Sequence, residues 1–186
     1  TARFELAMRG YRDALTRGDR DAVQTALSNA DANTAGQPAR QLRVARATLG
    51  AGQTEAARRR LDALDTPALG FDDRVEWSTL QADAGREAIA RATLDRLVAE
   101  AHEPAQIEAV LQAQRSIAED RITQALDRNQ PDEARRIAAT ALQAWPADDS
   151  RSATPRALAQ SRLWLAAQAL YRALDALLPS KKALET

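Results

Sequence analysis

The sequence predicts an all-α repeat protein, a superhelical solenoid of about four helix-turn-helix units followed by one more helix. Three observations predict it. Hydrophobic residues make up 45% of the chain while aromatics make up only 4%, and much of the apolar content is alanine, the strongest helix former. The segments around Gly18, Gly52, Gly85 and Asn129 repeat one pattern at spacings of 34, 33 and 44 residues. Five residues after each of these stands Val23, Ala57, Ala90 or Ala134, then Leu27, Leu61, Leu94 or Ala138, then Ala30, Leu64, Leu97 or Ala141. That spacing is one face of a helix.

In chain order, the periodicity predicts helices over 3–17, 20–31, 38–51, 54–65, 72–84, 87–101, 105–128, 131–145 and 154–178, with no strand. Each turn residue is Gly or Asn, types that accept the left-handed conformation ending a helix. The longer breaks at 29–38, 65–73, 102–104 and 145–155 are rich in Pro, Gly, Asn and Asp. Pro38, Pro104, Pro131 and Pro155 fall in first turns, where a missing N–H costs no helix bond. The 44-residue spacing predicts either one helix from 104 to 128, about three turns longer than its counterparts, or an inserted loop. The last helix carries Leu163, Ala167, Leu170, Leu174 and Leu177 in one register, and Trp164, Tyr171 and Leu178 in another. So wide a stripe reads as a cap over the array, with a dimer seam or the start of a fifth unit as alternatives.

The chain is treated as one domain of 186 residues, with units at about 4–37, 38–70, 71–103 and 104–148. It starts at Thr1 without a basic or apolar leader, and it stops at SKKALET without a closing helix, which reads as a fragment of a longer array. No apolar run is long enough to span a bilayer. Lys+Arg and Asp+Glu are 26 each, so the balanced charge argues against nucleic acid as a partner. Of the basic residues only Lys181 and Lys182 are lysine.

Much site chemistry is excluded by composition. There is no Cys and a single His, which removes disulfides, thiolate nucleophiles and Cys- or His-rich metal sites, and no cofactor is expected. His102 precedes Glu103-Pro104 at a turn and reads as structural, and Trp77 and Trp145 read as core. Carboxylate neighbours such as Glu119-Asp120 and Asp72-Asp73 do not face each other on a helix. Gly50-Ala51-Gly52 lacks the flanking strand of a phosphate loop. No catalytic constellation emerges, and the chain is read as a non-enzyme.

The repeat length and pattern resemble the tetratricopeptide repeat. The fourth unit matches best, with Asn129, Ala134, Ala138, Ala141 and Pro146 in the family's turn, packing and terminating positions. The first-helix signature is degenerate: Ala7, Gly10 and Tyr11 in unit one, but Gln41, Val44 and Ala45 in unit two. The resemblance implies a right-handed superhelix whose first helices line a concave groove that docks a protein partner. It places Glu5, Met8, Arg9, Arg12 and Thr16 of unit one in that groove, with Ala39, Leu42, Arg43, Arg46 and Gly50 of unit two. The repeated R-x-x-R of Arg9, Arg12, Arg43 and Arg46 then forms a basic patch. Asp72, Glu76 and Asp83 of unit three, and Glu119, Asp120 and Asp127 of unit four, form an acidic one. The competing reading of both is a solvated helix face.

A segment such as ARATLGAGQTEAARRRLDAL is similar to the periplasmic repeat regions of bacterial exopolysaccharide export proteins, including the outer-membrane cellulose-export subunit. That likeness implies a periplasmic interaction scaffold touching protein and anionic polymer or polysaccharide, without membrane insertion of this segment; a cytoplasmic setting is the alternative. The alternative function is the superhelical, non-catalytic region of a peptidoglycan lytic transglycosylase.

Overall fold

The computed structural model describes residues 2–144 and residues 169, 170 and 172. Among the described residues the chain is all-helical, with eight α-helices in the order α1 (Ala2–Arg17), α2 (Arg20–Ala32), α3 (Pro38–Gly50), α4 (Thr54–Asp62), α5 (Phe71–Asp83), α6 (Glu87–Glu100), α7 (Pro104–Asp127) and α8 (Pro131–Ala144). A short 3-10 turn, Thr66–Ala68, precedes α5. The fourth expected helix, 54–65, ends early at Asp62, and the 3-10 turn follows it with Pro67 near its start, where a missing N–H breaks no bond. The expected helix over 154–178 and Trp145 lie outside the described residues, apart from Ala169, Leu170 and Arg172.

The turn inside each hairpin has one backbone design. Gly18, Gly52, Gly85 and Asn129 all have positive φ, between 56° and 79°. At each, the turn residue's N–H donates to the carbonyl three residues back, and the next N–H donates to a carbonyl five back. In the first hairpin these are Gly18 to Leu15 (3.1 Å) and Asp19 to Ala14 (3.0 Å); in the last, Asn129 to Leu126 (2.9 Å) and Gln130 to Ala125 (2.8 Å). This pair of bonds is the Schellman motif, which closes a helix on backbone groups. The following helix starts at once. In the first hairpin Asp19 also caps α2 through its side chain, accepting from the Ala22 N–H at 3.0 Å.

The apolar positions after each turn form the core. Ala57, Ala90 and Ala134 are fully buried, as are Leu27, Leu61, Leu94 and Leu97 to within about a hundredth of their surface. A methyl at the first of these positions lets two helix backbones approach closely. The leucines then supply burial at roughly 1.5–3 kcal/mol each.

The chain divides into two compact units, residues 1–93 and 94–186, with the division inside α6. In the first unit α1 packs on α2 and α3, and α3 packs on α4 and α5. Phe4, Met8, Tyr11, Val23, Leu27, Val44 and Ala47 share one cluster, and Leu42, Ala45, Leu61, Leu64, Leu80 and Ala84 another. The Tyr11 hydroxyl donates to the Ala47 carbonyl at 2.8 Å, tying α1 to α3. Trp77 packs against the second cluster and donates its indole N–H to the Leu61 carbonyl at 3.1 Å.

In the second unit α7 is one 24-residue helix, so the long spacing is a lengthened helix and not an inserted loop. Its first part packs Ile107 and Leu111 against Val98 and Ala101. Its last part packs Ile122 and Ala125 against Ala134, Ile137 and Ala138, with Leu170 against the same cluster. A capping box begins α7: the Gln106 side chain accepts from the Glu103 N–H at 3.3 Å, and the Glu103 side chain accepts from the Gln106 backbone. The His102 N–H also donates to Gln106 Oε1, and its ring is exposed.

Candidate functional site

On the first unit, α1, α3 and α5 contribute to one charged face. The positions follow from helix spacing: Glu5, Arg9 and Arg12 lie three or four apart on α1, Arg40, Arg43 and Arg46 three apart on α3, and Asp72, Glu76 and Asp83 along α5. Met8 and Leu42, expected on this face, are buried in the two core clusters. They lie one position from the exposed stripe, and an apolar side chain there turns inward.

Two cross-helix ion pairs organise the face. Arg43 holds Glu5 in a bidentate fork, Nη1 to Oε1 at 2.6 Å and Nη2 to Oε2 at 3.1 Å. Its guanidinium also lies 4.9 Å from the centroid of the buried Phe4 ring, and that of Arg40 lies 5.5 Å from the same ring. The hydrogen bonds from Arg43 hold the Glu5 carboxyl below its ordinary range, and Glu5 in turn raises Arg43. The second pair joins Arg46 Nη2 to Glu76 Oε1 at 2.5 Å, a charge contact without hydrogen-bond alignment. Burial pushes Glu76 above the usual carboxylate range and outweighs the opposing pull of Arg46.

The four arginines of the basic patch are therefore of two kinds. Arg43 and Arg46 bridge helices. Arg9 and Arg12 are exposed and form no ion pair with a described residue, although Arg12 is near enough to favour the charged form of Glu5. Of the acidic residues, Asp72 and Asp83 are exposed on α5. Glu119, Asp120 and Asp127 lie on α7 in the second unit, where Glu119 pairs with Arg115 one turn away at 3.0 Å and the other two are exposed.

The opposite helices of the first unit carry a second set of bridges that sequence reasoning missed. Arg60 on α4 meets Asp31 on α2 at 2.5 Å, and Gln53 donates to Gln24 at 3.0 Å. Arg86, before α6, forks onto Asp62 of α4, with Nη2 to Oδ2 at 2.9 Å. Arg58 donates from Nε to the Ala84 carbonyl at the end of α5 (2.7 Å) and from Nη1 to Glu55. These contacts give the arginine bias a physical use. A planar fork makes two directed bonds at once, which a lysine ammonium does not. The missed signal is pairwise, an acid on one helix facing an arginine two helices on, and no single-helix pattern displays it.

Comparison with protein-family models, with curated proteins and with solved structures finds no match. Among the described residues no group of three or more His, Asp or Glu side chains is placed to hold a metal ion, and no helix is long and apolar enough to cross a membrane. What the face offers chemically is charge recognition: exposed guanidiniums on α1, exposed carboxylates on α5, and a pre-ordered pair of bridged arginines between them.

Proposed function

We propose that the chain is a non-catalytic interaction scaffold of the tetratricopeptide-like solenoid type, whose α1–α3–α5 face docks a protein partner. The observation that carries this reading is the fourfold Schellman turn combined with lateral contacts between first helices, α1 to α3 and α3 to α5. Hairpins built alike and joined edge to edge are the unit of a repeat array, and such arrays act through extended surfaces. The setting proposed for it is the periplasm, within an exopolysaccharide export assembly of the cellulose type, on the strength of the sequence likeness alone. The right-handed superhelix belongs to the same proposal.

The partner-binding residues are Arg12 on one side and Asp72 on the other, exposed residues of the face with no ion pair to a described residue. Arg43 and Arg46 position the helices between them. The test compares pull-downs from envelope extract using the unaltered chain and the Arg12→Glu and Asp72→Arg variants. Export components recovered by the unaltered chain and lost with either variant are the expected result. Identical recovery by all three proteins would remove the charged face from the binding surface.

A further inference from the structure

The bridge between the first two hairpins can be read at its repeat-equivalent positions. On α3 the side chains that meet α1 are Arg40 and Arg43, over Phe4 and Glu5, together with Val44 and Ala47, buried in the cluster they share with α1. Thirty-four residues earlier, one repeat by the Gly18–Gly52 spacing, stand Leu6, Arg9, Gly10 and Asp13 on α1. All four are exposed. Leu6 is 69% accessible, the most exposed large hydrophobic side chain among the described residues. Arg9, the counterpart of the gripping Arg43, has no ion pair with a described residue. A Cβ added at Gly10, the counterpart of buried Val44, would meet nothing within 4 Å.

We propose that this edge of α1 is a docking surface for one further α-helical hairpin of the same repeat type. Its first helix would carry an apolar residue followed by a glutamate, as Phe4-Glu5 does. Arg9 grips that glutamate as Arg43 grips Glu5. Leu6 covers the apolar residue in the place where Arg40 lies over Phe4, and Gly10 lets the two backbones approach. Continuity with the Glu5–Arg43 bridge, together with the exposed apolar Leu6 and the open Gly10 beside Arg9, carries the argument. The proposal rests on contacts inside residues 2–50 and stands whether or not the α1–α3–α5 face binds a partner, since Arg12 and Asp72 take no part in it.

A direct test places a second copy of residues 2–35 ahead of Ala2 in the full chain. The added glutamate then stands 38 positions before Arg9, the separation of Glu5 and Arg43. The extended protein is expected to gain about one hairpin of helix by circular dichroism and to melt at higher temperature. Arg9→Ala should lower the melting temperature of the extended protein and leave the original chain unchanged. Changing the added glutamate to Gln should have the same effect, and the two changes together should cost no more than either alone. An added segment that contributes no helix, or an Arg9→Ala effect equal in both proteins, would overturn the proposal. So would self-association of the original chain that Leu6→Asp abolishes, because the occupant would then be a second copy.

Discussion

Residues 2–93 and the α7–α8 hairpin use the same turn and the same small core residues, and beside local pairs such as Arg58–Glu55 the first region has named ion pairs that reach from one hairpin to the next. In the first region guanidinium forks span 24 to 38 positions: Arg43 to Glu5 and Arg86 to Asp62, with Arg46–Glu76 and Arg60–Asp31 at 30 and 29. On α7 and α8, Arg115–Glu119 and Arg136–Glu133 lie within one turn of a single helix. A local pair supports its helix wherever that helix sits. A long-range fork supports one arrangement of two hairpins and is lost if they slide. Turn and core make a hairpin, whereas side-chain bridges at its edges bear on how one hairpin meets the next.

In their cores the two regions should respond alike to truncation. Leu61→Ala and Ile137→Ala each remove a buried aliphatic side chain, and each is expected to cost about 2–5 kcal/mol in denaturant unfolding. A much smaller cost at Ile137 would mean that the α7–α8 cluster is held differently.

Next in size is the shared turn. Gly85 has φ +79°, and a Cβ there would stand 2.9 Å from Arg58 Nη2, the guanidinium that also serves the Ala84 carbonyl. Gly85→Ala should therefore destabilise by more than the roughly 1–2 kcal/mol of left-handed strain alone. Gly18→Ala, at φ +69° in open space, should show the strain and no more. Equal losses in thermal melts would remove Arg58 from the turn's support.

A pH titration separates the two bridges on α3. Glu5 is lowered by Arg43, so its contribution is present above the ordinary glutamate pKa and disappears as pH falls through the lowered value. Glu76 is raised by burial, so its protonated form is favoured in the fold and its contribution fades as pH rises through the raised value. Glu5→Gln should flatten the acid limb of stability below the ordinary range. Glu76→Gln should remove a loss of stability just above that range and cost little at pH 7. The smallest effects concern salt. Arg43→Lys, which gives up a fork and a ring contact, should lower the melting temperature measurably, while Arg136→Lys should change it within error.

How much of this was legible in the sequence depended on whether the signal was local. The four turn residues, the helices they separate and the buried face behind Val23, Ala57, Ala90 and Ala134 follow from spacing, because backbone handedness and 3.6-residue periodicity act within a few positions. The long α7 was one of two readings of the 44-residue spacing, and an uninterrupted helical pattern from Pro104 onward is realised as one helix. The helix expected over 54–65 is present as α4 but ends three residues earlier; the expectation overran because the apolar Leu64 continues the period past the point where the backbone leaves the helix. On the charged face, residue types and helix positions were readable, but pairing was not. Whether Arg43 is bound or free depends on Glu5, 38 residues away, and on the packing of α1 against α3.

The hairpin turn also bears on how the chain acquires its structure. Its bonds close between residues three and five apart, and the named side-chain bridges of residues 2–93 reach no further than 38 positions. Low sequence separation means little loop entropy is lost before contacts form, the circumstance that gives the fastest folding. A nascent chain leaving the ribosome can close α1 on α2 while α3 is still being made, and the α3–α4 hairpin then finds a finished edge to join.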